Sequence, residues 1–209
     1  MELENLIAGV SRPARYVGGE AGSRVKDPAG VRLYFALAFP EIYEIAMSHL
    51  GLKVLYEALN SRPEVAAERV FMPWTDLMDL LESRGLGPWS LESRRSLGAF
   101  DVVGFSLQYE LTYTNMLHML RLAGVPLRRG DRTPAHPLII AGGPCMANPE
   151  PLADFLDLAV VGEAEELIGP LTDLILTAKE QAWPRERLYD EASALEGVYA
   201  PALFEPVYE

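Results

Sequence analysis

Gly142-Gly143-Pro144-Cys145 follows directly on an apolar run, Leu138 to Ala141. A glycine pair at such a point has no Cβ atoms, so the backbone can approach a ligand closely; the same pair can also simply punctuate a turn. A second segment, Gly162-Glu163-Ala164-Glu165, closes the apolar run ending at Val161 and opens a helical pattern. Its carboxylates suit a helix start, where the dipole favours negative charge. Ser106, in Val103-Gly104-Phe105-Ser106-Leu107, offers a hydroxyl either to a ligand or to local backbone. Tyr43, in the loop after the first apolar run, completes the set. The chemistry on offer is binding: close backbone approach, a hydroxyl, carboxylates and an aromatic ring. None of these residues is assigned a catalytic or metal-ligating role.

The other reactive groups are few. Cys145 is the single cysteine, so an internal disulfide is excluded and a reducing compartment fits. One thiolate also falls short of the several that an iron–sulfur cluster takes. His49 and His118 fall in helical patterns, where a lone histidine is more often packed or exposed than a ligand, and His136 precedes a strand. Glu163, Glu165, Glu166, Asp154 and Asp157 form an acidic grouping without the ligand ladder of a calcium loop. Trp74, Tyr109 and Tyr113 are placed either to stack on a ligand or to pack in the core.

These residues must be held by regular elements, and the chain alternates between two kinds. Leu33 to Phe39, Arg69 to Met72, Asp101 to Leu107, Leu138 to Ala141 and Leu158 to Val161 are short apolar runs that read as buried strands. Between them Glu41 to Asn60, Thr75 to Arg84, Leu111 to Leu122, Pro149 to Phe155 and Glu163 to Lys179 read as helices, with Gly51 a weak point in the first. Such alternation implies a flavodoxin-like (Rossmann-like) α/β fold, a five-stranded parallel sheet with helices on both faces. Ligands of such sheets bind beyond the carboxyl ends of the strands, which is where the glycine and acidic segments fall. Residues 1–30 and 181–209, rich in glycine and proline, read as irregular extensions around a domain at 31–180, the latter as a linker.

The order of these motifs resembles the N-terminal domain of B12-binding radical SAM proteins. Those domains carry a strand, Gly-Gly-Pro, a short helix with Pro-Glu, and a strand ending in Gly-Glu-Gly-Glu. Gly142, Gly143, Pro144, Pro149, Glu150, Gly162, Glu163 and Glu165 match; Ala164 replaces the middle glycine, and Cys145 stands where many members have histidine. The strand bearing Ser106 is similar too. The resemblance implies a cobalamin-binding domain in which Ser106 hydrogen-bonds the base of the nucleotide tail and Gly142 and Gly143 make room for it. It further implies a radical SAM domain following in the same protein, carrying the 4Fe-4S cluster and S-adenosylmethionine that this chain lacks the cysteines to handle. One departure stands out: the loop Pro40 to Glu44 lacks the cobalt-ligating histidine of the best-known cobalamin domains.

Composition bounds the alternatives. The 209 residues are 49% hydrophobic with a net charge of -12, which argues against a nucleic-acid backbone as partner. No apolar run is long enough to span a membrane and no signal peptide is evident, so a cytoplasmic location is expected. Two other functions stay open: a small-molecule or flavin binder on the same fold, although no Ser/Thr-rich phosphate loop follows the first strand, and a domain that binds no cofactor and only packs against its neighbours.

Overall fold

The computed structural model describes residues 2–205. Five strands run parallel: β1 (Leu33–Phe39), β2 (Val65–Phe71), β3 (Val102–Ser106), β4 (Leu138–Gly142) and β5 (Leu158–Val160). A two-residue strand, β6 (Val198–Tyr199), joins antiparallel beside β5. The sheet order is β2-β1-β3-β4-β5-β6, so the five parallel strands have the doubly wound order expected of a flavodoxin-like fold. The helices are α1 (Glu2–Ala8), α2 (Tyr43–Ala46), α3 (Leu50–Asn60), α4 (Thr75–Arg84), α5 (Tyr113–Leu122), α6 (Ala164–Glu180) and α7 (Arg185–Ser193).

Alternation along β1 sorts the core into two layers. Leu33, Phe35, Leu37 and Phe39 point to one face, where they pack with α3, α6 and α7 through Leu52, Leu171 and Leu188. Ala36 and Ala38 point to the other, where Met116, Met119 and Leu120 of α5 cover Val103, Phe105 and Ile139. A smaller cluster joins α1 to α4 through Ile7, Val10, Leu77 and Leu81.

Four elements depart from the sequence reading. The helix expected over Glu41 to Asn60 is broken in two: His49 adopts an extended conformation (φ -74°, ψ 118°) and caps a new helix, α3. Strand β2 begins at Val65, four residues earlier than the apolar run, because Glu68 and Arg69 are buried with partners of their own. The Glu68 carboxylate accepts from both Ser90 and Ser93, and Arg69 Nε donates to Glu92 at 2.7 Å. The tail is also more ordered than a linker. Helix α7 packs on the sheet, and Val198 and Tyr199 pair with Val160 and Ala159. Pro149 to Phe155, expected as a short helix, forms a 3-10 turn at Glu150–Leu152. No helix among the described residues is long and apolar enough to cross a membrane.

Candidate functional site

The site begins with the registers of the central strands. Gly104 of β3 lies between Leu37 of β1 and Ile140 of β4, and Ser106 lies beside Gly142. By the two-residue period of a strand, Gly104, Ser106 and Gly142 all face the α3/α6 side of the sheet. Two of these three positions have no side chain. A Cβ at residue 104 would come within 2.7 Å of the Phe35 ring, so glycine there is required by the close approach of β1's aromatic side chain. A Cβ at residue 142 would meet only Val160, at 3.8 Å. The sheet surface is therefore hollow along this line, while α3 and α6 pack together above it.

The result is a cleft of about 290 Å³. Its walls are largely apolar, from Phe35, Leu37, Leu55, Ile140, Val160 and Ile168. Its polar groups are Ser106, Gln108, His49 and the residues opening α6, Glu163 and Glu165. An apolar pocket with a few placed polar groups is the general form of a small-molecule site. Neither the Ser106 hydroxyl nor the Gln108 amide hydrogen-bonds to any described residue. For Ser106 this excludes the alternative use of its hydroxyl on local backbone.

The glycine pair is divided in its roles. Gly142 floors the cleft. Gly143 is the turn: at φ 102°, ψ 179° it occupies a region that side chains rarely enter, and a Cβ would lie 2.6 Å from the Leu107 carbonyl oxygen. That turn lets Leu107 donate its amide to Gly142 O at 2.8 Å and accept from Cys145 N at 3.3 Å. Pro144 lines the rim. Gly162, also at positive φ (96°), and Glu163, the residue before α6, line the cleft as well.

Two of the residues chosen from the sequence lie outside the cleft. Cys145 is buried on the other side of the sheet with Met146, Leu152 and the α5 methionines. Burial there pushes its thiol up in pKa, and the hydroxyl of its neighbour Tyr113 is pushed up to about 12, chiefly by burial. A protonated, enclosed thiol is a packing group rather than a nucleophile. Tyr43 packs edge-on against Phe71, with ring centroids 6.0 Å apart, and burial raises its pKa. The acidic grouping is likewise dispersed: Asp154 pairs with Arg128 at 3.2 Å, and Asp157 is buried between Arg132 and Arg185. Among the described residues no three His, Cys, Asp or Glu side chains stand close enough to hold a metal ion.

The cleft also contains a residue that sequence reasoning did not single out. Of the three histidines only His49 lines it. Its ring caps α3, Nδ1 accepting from Leu52 N at 3.2 Å, and rests against Phe39 with centroids 5.1 Å apart. His118 instead joins Glu82 at 3.0 Å, and His136 accepts from Thr133 N at 3.0 Å at the other end of the sheet. The signal available for His49 was Gly51: a Cβ there would stand 3.1 Å from His49 Cε1, so the weak point in the helical pattern marks where the ring lies. Gly104, isolated inside a strand, was the corresponding signal for the hollow floor.

Comparison with known proteins adds an independent finding. A curated protein of Methanocaldococcus jannaschii, described as uncharacterized protein MJ0966, is 35% identical over 131 residues. That stretch is 62% of this chain and 24% of the relative, so the chain spans about a quarter of the length of the protein it matches. No solved structure matches it. The family described as radical SAM proteins, N-terminal, matches residues 51–201, from the first turn of α3 to the turn after β6, and so takes in Ser106, both glycines and the α6 entry. The chain belongs to this family of radical SAM protein N-terminal domains.

Proposed function

We propose that this domain binds a cobalamin by its nucleotide tail and presents it to a radical SAM domain following in the same protein. The observation that carries the reading is the Ser106 hydroxyl, unpartnered and set beside Gly142 in an apolar cleft floored by glycine. The Ser106 hydroxyl is partly exposed and has no protein partner, so a ligand in the cleft can take it up without displacing a protein hydrogen bond. The residues present fit the group in size and kind. The cleft sits at the small end of the roughly 300–1,000 Å³ range of small-molecule sites, which suits a flat base with its linker better than a whole corrinoid. The corrin would then lie outside it, beyond the carboxyl ends of the strands, where Trp74, Tyr109 and Leu111 are exposed. When bound, cobalamin supplies a cobalt centre that carries alkyl groups. This chain's contribution is to hold the tail, orient it and keep water from the slot. Cleavage of S-adenosylmethionine and the cluster it needs belong to the remainder of the parent protein, whose substrate is a separate question.

The test is retention of ligand. The purified chain, incubated with hydroxocobalamin and desalted, should keep a corrinoid spectrum. Gly142→Val fills the slot at a position with room for a Cβ and ordinary backbone, so it should abolish retention while costing the fold no more than about 1 kcal/mol. Ser106→Ala should weaken binding by roughly 0.5–1.5 kcal/mol, the worth of one hydrogen bond. Unchanged affinity in a well-folded Gly142→Val variant, or retention of FMN in place of cobalamin, would overturn the reading.

A further inference from the structure

We infer that His49 is a fixed hydrogen-bond donor to the ligand of the cleft, and that it is not a metal ligand; the inference rests on the reading of the cleft as a site for the cobalamin tail. The cap bond is the starting point. Nδ1 receives the Leu52 amide proton, so Nδ1 carries a lone pair and no proton of its own. A neutral imidazole in that state holds its proton on Nε2. Metal coordination through Nε2 would demand the other tautomer, with an Nδ1–H set against the Leu52 N–H, and the cap of α3 would be lost. The ring has little freedom to turn away from this arrangement. Phe39 packs on it, and the backbone of Gly51 lies so close to the Nδ1–Cε1 edge that a methyl group there would be within 3.1 Å of the ring.

What remains is the opposite edge. No described residue accepts a hydrogen bond from Nε2. His49 lines the same cleft as Ser106, so the two polar groups address one occupant. Ser106 can donate or accept, but His49 in this tautomer can only donate. The partner it selects is therefore an acceptor atom of the tail, a ring nitrogen or a phosphodiester oxygen. The first turn of α3 contains no acidic residue, but Glu163 and Glu165 line the same cleft, which favours the neutral ring nitrogen over an anionic phosphodiester oxygen as the acceptor.

Three measurements on the full chain test this. In protein labelled with nitrogen-15 histidine, the His49 ring should show an unprotonated Nδ1 and a protonated Nε2, assigned by the signals lost in His49→Asn. Asparagine and aspartate both cap helices well, so His49→Asn and His49→Asp should keep the melting temperature. With hydroxocobalamin as probe, the dissociation constant should rise about three- to tenfold for Asn, the worth of one hydrogen bond, and further for Asp, which has no donor. In the Co(II) form, electron paramagnetic resonance spectra from labelled and unlabelled wild-type protein should superimpose. Label-dependent splitting, the reversed tautomer, or an unchanged dissociation constant in both folded variants would overturn the assignment of His49 while leaving cobalamin binding intact. Failure of the wild-type chain to hold cobalamin would instead remove the reading of the cleft, and the contact with it.

Discussion

The two adjacent glycines show how much one residue's place in the backbone decides. Gly142 is at the end of β4 in ordinary extended conformation with space above it, whereas Gly143 turns the chain at positive φ against the Leu107 carbonyl. They should respond oppositely to substitution. Gly143→Ala should cost about 1–3 kcal/mol in urea unfolding from backbone strain alone, before any contact with Leu107 is counted. Gly142→Ala should be close to neutral. A near-neutral Gly143→Ala would show that the turn relaxes. For the same reason Gly143 is a poor position at which to probe ligand binding, since stability and binding would fall together.

At the scale of elements, the end of the chain is bound to the sheet by a charge cluster that no helical periodicity reveals. Asp157, fully buried just before β5, accepts from Ile139 N at 2.7 Å and from the Tyr189 hydroxyl of α7. Arg132 and Arg185 approach the same carboxylate at 3.4 and 3.2 Å. Burial beside this carboxylate pushes the Tyr189 pKa up, so the tyrosine remains a donor throughout the ordinary pH range. Removing the anion would strand buried cations, and Asp157→Ala should destabilise by about 3–5 kcal/mol. Tyr189→Phe should cost only about 1 kcal/mol, as a single hydrogen bond does. Equal effects in thermal melts would show that the Asp157 carboxylate contributes no more than its hydrogen bond with Tyr189.

At the scale of the molecule, the N-terminal segment is fastened across the carboxyl edge of the sheet. Ser11 donates to Asp76 through both its amide, at 2.8 Å, and its hydroxyl, at 2.6 Å. Arg15 pairs with Glu44 at 2.9 Å and lies over Trp74, and the Trp74 amide donates to the Tyr16 hydroxyl at 3.0 Å. The Ser11 hydrogen bonds hold the Asp76 carboxyl below its usual range. A folded pKa below the unfolded value of about 3.9 makes the contribution complete above that value and lost as pH falls through the folded pKa. Protection of residues 3–16 against hydrogen exchange, corrected for the slower intrinsic exchange in acid, should therefore fall below about pH 4 before that of the central sheet does. In Ser11→Ala the same segment should exchange faster even at neutral pH. Uniform protection of the segment and the sheet across that range would show that α1 and α4 are held by Ile7, Val10 and Leu81 alone.

The parallel sheet was legible in the sequence because it depends on local pattern. Short apolar runs broken by Pro40, Pro73 and Gly142 admit few alternatives once right-handed crossovers are imposed. Ser106, Gly142, Gly143, Pro144, Gly162 and Glu163 were placed at one edge by the same logic, and all six line the cleft. Periodicity failed where charge is neutralised at a distance: Glu68 stayed outside the expected strand until Ser90 and Ser93 are brought beside it, and the segment of α7 reads as an irregular linker until Asp157 receives it. Which side of the turn a residue faces also lay beyond the sequence, because the positive φ of Gly143 sends Cys145 under the sheet and away from its neighbours in the motif. His49 is the clearest case. Its type and helical context indicated nothing, and its place in the cleft arises only because α3 restarts at its ring and the sheet beneath has no side chain at Gly104 or Gly142 to fill the space. Local patterns determine elements through neighbours a few residues apart; a cleft is the space left between elements, and its size depends on side chains that only the completed packing brings together.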